Sequence, residues 1–154
     1  MNEEDSEPCA AAKRQFVAAA GTLLAGALVA GSAAASSPGT RPNKLVIQVS
    51  DNDPAKWSLA LNNAQNALNE LGADTVALEI VVFGPGIGML KGDSPVATRI
   101  AAALKGGMQI VACENTLKAQ KLTRANMLPD IGYVPAGVVE LMRKQQQGFA
   151  YIRP

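Results

Sequence analysis

TVALEIVVF, the stretch Thr75–Phe83, is nearly unbroken apolar sequence, closed by Gly84-Pro85-Gly86-Ile87-Gly88. A strand with one wet face alternates apolar and polar residues, so a continuous run of this length reads as a strand covered on both faces. Such strands belong to parallel sheets, which need helical crossovers between neighbours. The flanking sequence supplies them. Upstream, Lys44–Ser50 (KLVIQVS) is a β-branched run broken by Asp51-Asn52-Asp53-Pro54, which offers a helix cap and an early helical proline. Trp57, Leu61, Ala64, Leu68 and Leu71 then recur at helical spacing opposite a polar face of asparagines, up to Gly72. Downstream, Ser94-Pro95 opens a helix with Val96, Ile100, Ala103 and Leu104 as its apolar stripe, and Met108–Cys113 (MQIVAC) reads as a third strand. A short helix is expected over Leu117–Leu122 and a short strand over Ile131–Val134. A last helix is expected from Pro135-Ala136-Gly137 to Gln147, and a terminal strand over Phe149–Ile152. The pattern predicts one domain over residues 44–154, a three-layer α/β sandwich around a mainly parallel sheet of four or five strands.

The chain ahead of this domain differs in composition. An acidic opening leads to Lys13-Arg14-Gln15-Phe16-Val17 and then an Ala/Gly-rich apolar run ending at Ala33-Ala34-Ala35. A basic pair, a short apolar segment and small residues at −3 and −1 form a secretory signal over residues 1–35, and the Lys-Arg-x-Phe core is similar to a twin-arginine signal. The expected location is periplasmic or otherwise exported, with no stable membrane insertion after cleavage. The alternative is an uncleaved anchor, because the twenty residues from Phe16 to Ala35 reach across a bilayer. Residues 36–43, with Pro38, Gly39 and Pro42, read as a flexible leader.

Composition excludes several chemistries. None of the 154 residues is histidine, which removes Ser-His-Asp and Cys-His catalytic pairs and His-ligated metal sites. After Ala35 the chain carries twelve Lys and Arg against nine Asp and Glu, with no basic run longer than two, so it lacks the concentrated basic surface of a nucleic-acid binder. The methionines are scattered and two fall on apolar faces, so no metal site and no cofactor are expected. Removal of the signal takes Cys9 with it and leaves Cys113 as the only thiol.

In an open parallel sheet, ligands bind beyond the carboxyl ends of the strands. Residues just after each strand therefore form one candidate rim: Asp51 and Asn52, the glycine loop with Gly84, Gly86, Gly88 and Lys91, then Cys113, Glu114, Asn115 and Thr116, and Pro135-Ala136-Gly137. Cys113 ends a strand just before a helix, where unpaired N–H groups and the helix dipole favour a thiolate. Glu114 opposes this unless it points outward, and Lys91, Lys118 and Lys121 are the cations available to offset it. The bland reading is a buried, inert cysteine at the end of an apolar strand. The glycine loop matches neither the G-x-G-x-x-G dinucleotide fingerprint nor a P-loop, and reads as a tight turn. Asp51 and Asp53 are paired carboxylates, of which helix capping accounts for at least one. Ile87, Met89, Leu90, Met127, Leu128 and Ile131 are apolar residues in expected connections, where a partner surface would cover them, so a homo-oligomer is expected.

Lys44–Ser50, the loop FGPGIGMLK of Phe83–Lys91, Val111-Ala112-Cys113-Glu114-Asn115-Thr116, and the segment from Val134 through Ile152 together resemble the DsrE/DsrF-like family, over about residues 44–154. The chain is similar in particular to exported members of that family that bear a twin-arginine signal. The resemblance implies a small α/β sandwich assembling into trimers or hexamers, and a cysteine that carries sulfur as a persulfide between donor and acceptor proteins. By its position after the third strand, Cys113 matches that cysteine. Sulfur-relay members follow it with a glycine-containing segment, whereas Glu114-Asn115-Thr116 follows here. Two functions stand side by side. One is a sulfur-handling protein, with Cys113 as the transfer thiol, Lys91 and loop N–H groups stabilising the persulfide, and Asn52 or Asn115 hydrogen-bonding it. The other is a non-enzymatic oligomeric protein binding a small ligand or partner, with Cys113 buried and inert.

The signal reading carries its own test. Protein recovered from its host should begin near Ser36, because Ala33 and Ala35 supply the small residues a signal peptidase reads. An intact Met1 form in the soluble cytoplasm, identified by mass spectrometry, would contradict it.

Overall fold

The computed structural model describes residues 41–154, so the signal read over residues 1–35 and most of the leader lie outside the described residues. Five strands form one sheet: β1 (Asn43–Val49), β2 (Val76–Val82), β3 (Gln109–Cys113), β4 (Gly132–Val134) and β5 (Ala150–Ile152). Their order across the sheet is β4-β3-β2-β1-β5, and every pairing is parallel. The helices are α1 (Pro54–Leu71), α2 (Ala97–Lys105), α3 (Glu114–Ala119) and α4 (Gly137–Gln146). No helix among the described residues is long and apolar enough to cross a membrane.

The expected three-layer α/β architecture is present, and its two faces are unequal. Strand alternation sends Ile47, Val49, Leu78, Ile80, Val82, Ile110 and Ala112 to one face, where Trp57, Ala60, Leu61 and Ala64 of α1 and Ile100 of α2 cover them. The opposite residues Val46, Val81 and Val111 pack against Leu141 of α4, with Phe83, Val134 and Phe149 around them. TVALEIVVF is thus buried on both sides, with one polar exception. Glu79 is 4% exposed on the α4 face, with Oε2 2.6 Å from Lys144 Nζ and Oε1 without a partner. Burial pushes the Glu79 carboxyl above the usual carboxylate range, against the hydrogen bond and charge of Lys144 and with the help of Glu140. A group raised in this way favours folding below its ordinary value and loses that contribution as pH rises through its folded value.

Three local readings are corrected. The glycine loop is not a tight turn but a 3-10 helix over Gly84–Leu90. Its Ile87, Met89 and Leu90, with Met127 and Ile131, are buried in this chain's own core, so their apolar character is explained without a partner. The short helix begins at Glu114 rather than Leu117. It closes at Lys121, which takes the left-handed conformation (φ 54°) while the Leu122 N–H bonds Leu117 O at 2.8 Å. Ser94 Oγ accepts the Val96 N–H at 3.4 Å as a cap would, but its carbonyl accepts from Ala97, a turn that moves the N-cap position to Val96 and delays the helix to Ala97. Helix α1 does start as read, with Asp53 Oδ1 accepting the Ala55 N–H at 2.8 Å.

The 3-10 segment lies hard against the end of β1. The Gly86 N–H bonds Ser50 O at 3.1 Å, and a Cβ on Gly86 would stand 2.7 Å from Val49 O. Gly86→Ala should therefore cost about 1–3 kcal/mol, because backbone must move. Gly106→Ala, whose new Cβ would lie 3.4 Å from Ala103 O, should stay within about 0.5 kcal/mol. Urea denaturation of both variants checks the contrast.

Candidate functional site

Strand β3 ends at Cys113, which is also the residue that caps α3, in extended conformation (φ −77°, ψ 115°). Alternation along β3 puts its side chain on the α4 side of the sheet, 5% exposed. The thiol's hydrogen-bond partner is the Pro135 carbonyl, 3.9 Å from Sγ, which also accepts the Asn115 N–H at 3.2 Å. The starts of α3 and α4, at Glu114 and Gly137, lie beside it.

The direction of the Thr116 hydroxyl is fixed by its other partner. Thr116 Oγ1 accepts the Gly84 N–H at 2.9 Å, which leaves its proton for the sulfur. Gln120 Nε2 donates to Gly84 O at 3.1 Å and ties the glycine segment to α3 a second time. Burial pushes the thiol up, and the hydrogen bonds from the Thr116 side chain and from the N–H groups of Gly137, Thr116 and Asn115 together outweigh it. The Cys113 pKa therefore lies below the ordinary thiol value. Gly137 is a glycine because the helix must come close: a Cβ there would stand 2.8 Å from the Phe83 ring.

The rim read from sequence is assembled in part. Cys113, Asn115, Thr116 and Gly84 form the contacts just described. Glu114 turns outward into an ion pair with Arg124, whose guanidinium lies 4.2 Å from the Tyr133 ring centroid. The cation that offsets Glu114 is thus Arg124, not Lys91, Lys118 or Lys121. Lys91 follows the 3-10 segment and pairs by its backbone with Met127, and no lysine is among the groups that principally set the thiol pKa. Asp51 is held by Arg153 at 3.2 Å and Lys56 at 3.3 Å, and its carbonyl accepts the Trp57 Nε1–H at 2.7 Å. The Arg153 hydrogen bond, with Lys56 behind it, keeps the Asp51 carboxyl below its usual value despite some desolvation. Asn52 and Gly88 lie together, and Gly86 rests on Val49 and Ser50, at the β1 end of the rim. Pro135-Ala136-Gly137, placed on the rim from sequence, does lie at the thiol and acts through backbone atoms, the Pro135 carbonyl and the Gly137 N–H, which no residue type announces.

Among the described residues no cluster of three or more His, Cys, Asp and Glu side chains is arranged to hold a metal ion. A cavity of about 580 Å³ lies between α2 and the β3–β4 edge, lined by Ile100, Leu104, Leu128 and Tyr133, and includes none of the groups around Cys113.

The role of Thr116 is directly testable. Thr116→Val removes a donor to the thiolate, so the pH midpoint of Cys113 alkylation should rise by about one unit, roughly a tenfold smaller thiolate fraction at neutral pH. Thr116→Ser should restore the original profile. Iodoacetamide kinetics against pH provide the measurement.

Residues 43–154 match the DsrE/DsrF-like family. No curated protein sequence matches the chain. Among solved structures, the chain is similar to MTH1491 of Methanobacterium thermoautotrophicum, a protein of unknown function, at 28% identity and a TM-score of 0.70, covering 73% of this chain and 99% of that one. It shares its fold with BT1422 of Bacteroides thetaiotaomicron, a conserved protein of unknown function, at 19% identity and a TM-score of 0.59 over 73% of this chain and 95% of that one. The same holds for the ychN protein of E. coli, at 15% identity and a TM-score of 0.59 over 73% of this chain and 99% of that one. With the match spanning the whole described sheet and every residue around the thiol, the chain belongs to the DsrE/DsrF-like family.

Proposed function

We propose that the protein handles sulfur through Cys113, accepting a sulfane sulfur and passing it on. The observation that carries this reading is a thiol at the carboxyl rim of a parallel sheet, beside the starts of α3 and α4, whose pKa is lowered by hydrogen bonds from the Thr116 side chain and from the Gly137, Thr116 and Asn115 backbone. Those donors favour the thiolate, which is the nucleophile in sulfur exchange. In the first step the Cys113 thiolate attacks the outer sulfur of a persulfide or polysulfide donor. A Cys113–S–S⁻ bond forms, the donor's S–S bond breaks, and the electron pair leaves with the donor's remaining thiolate. In the second step an acceptor thiolate attacks the outer sulfur, and the Cys113 thiolate leaves. No net oxidation occurs, so no cofactor is called for. The charge moves one sulfur outward in the persulfide, and Thr116 and Gly137 remain on the inner sulfur as donors.

Export, a trimeric or hexameric assembly, and separate sulfur donor and acceptor proteins belong to the same proposal. They rest on the signal-like sequence of residues 1–35 and on the family resemblance. On this chain the exposed apolar side chains Val138, Val139 and Met142 of α4 offer an assembly surface, in place of the loop residues that the core absorbs.

One observation favours the second reading, a binding protein with an inert cysteine: Cys113 is only 5% exposed. The two readings part in one experiment. Native protein incubated with polysulfide should gain the mass of about one sulfur atom, removable by a small thiol, as persulfidation is a reversible cap. Cys113→Ser should gain none while keeping its fold. A native protein that stays unmodified, and reacts only after unfolding, would establish the inert reading instead.

A further inference from the structure

Helix α4 reaches the thiol with one end and a buried ion pair with the other. Its sheet-facing stripe is Gly137, Leu141 and Lys144, at steps of four and three, so Leu141 is the only large apolar residue on it. Val138, Val139 and Met142 point elsewhere and are exposed. With one large apolar side chain on that stripe, polar contacts carry much of the helix's placement over the sheet, and so of its first turn beside Cys113. The second fixed point is Lys144, whose ammonium lies 2.6 Å from Glu79 Oε2 on the central strand β2 and 3.7 Å from Glu140 on its own helix. Lys44 of β1 binds Gln147 O just past the end of the helix at 2.9 Å, and Lys44 and Lys144 both lie over the Phe149 ring.

We infer that Glu79 and Lys144 form a positioning device for the thiol: by pinning the far end of α4 to β2, they hold the start of the helix, and the Pro135 carbonyl just ahead of it, beside Cys113. Glu79 is a costly residue at its place, 4% exposed with Oε1 unpartnered, in a strand whose neighbours Leu78, Ile80, Val81 and Val82 are all apolar. Buried ion pairs seldom add net stability over apolar packing, and directional constraint is the return they can give. As a role in sulfur transfer the inference rests on the reading of Cys113 given above, but its test needs no sulfur donor.

The test turns on a sign. Glu79→Gln removes a negative charge, and by Coulomb's law alone that favours the thiolate and lowers the Cys113 midpoint. Loss of positioning raises it. Iodoacetamide kinetics against pH on the full chain, read at the Cys113 peptide by mass spectrometry so that Cys9 does not contribute, should show the Glu79→Gln midpoint moving up, with a neutral-pH rate roughly threefold or more below wild type, as expected when a backbone donor withdraws from a thiolate. Lys144→Met should move it the same way. Arg143→Met, which removes an exposed charge one residue away, should leave it unchanged and so separates positioning from long-range charge. An unchanged or lowered midpoint in folded Glu79→Gln overturns the inference. If Glu79→Gln does not fold, the double variant Glu79→Met/Lys144→Met, which fills the site with apolar side chains, is read by the same criterion. Sulfur loading of wild-type protein is a separate readout, so failure of the positioning role and failure of the sulfur role are told apart.

Discussion

A parallel sheet has to be covered on both faces, and among the described residues one of the two faces is covered by a single ten-residue helix. The other face is secured by α1, α2 and the 3-10 segment, which together bury a large continuous core. The α4 face has Val46, Val81, Val111 and Leu141 and little more. What α4 does is therefore constrained from all sides at once. It must close the sheet and connect the β4 edge to the β5 edge. It must also present its first N–H to the sulfur at the end of β3. Gly137, crowded by Phe83, shows how tightly that first turn is seated.

The thiol illustrates how a nearly buried group can still favour its charged form. Removal from water disfavours the thiolate, and in an apolar pocket that effect would stand alone. At this strand end it is opposed by hydrogen bonds from the Thr116 side chain and from N–H groups at two helix starts, which have no partner within their helices. The Thr116 hydroxyl is polarised by the Gly84 N–H behind it, so the glycine segment acts on the sulfur through one intermediary rather than by direct contact. The loop matters to the site as the anchor of a hydroxyl, not as a cradle for a ligand.

Several residues owe their place to the core and not to chemistry. Ile87, Met89 and Leu90 are apolar because the 3-10 segment folds back under the sheet. Asp51 closes an ion-pair cluster with Lys56 and Arg153, joining the start of α1 to the end of the chain beside β1. Arg124 takes up the Glu114 charge that would otherwise weigh against the thiolate. The chain separates Arg124 from Glu114 by ten residues, so the pairing arises only when the segment after α3 turns back.

The sequence by itself determined the layer architecture, the parallel sheet, each strand to within a residue or two, and the cysteine on the carboxyl rim. These follow from local periodicity: an apolar run like Thr75–Phe83 or a stripe like Trp57-Leu61-Ala64 encodes its own burial within a few residues. Helix starts were less legible where tertiary bonds set them, as at Glu114, whose helix begins early because the Asn115 N–H meets the Pro135 carbonyl. Only the tertiary structure decided which groups face the sulfur, which cation answers Glu114, and that Glu79 inside an apolar strand meets Lys144 of the last helix. Most of these join atoms from segments distant in sequence, and three of the groups that act on the thiol are backbone N–H groups that every residue except proline possesses. No pattern of residue types can announce a contact made by atoms common to nearly all of them, so that part of the site exists only once α3 and α4 are packed at the sheet's end.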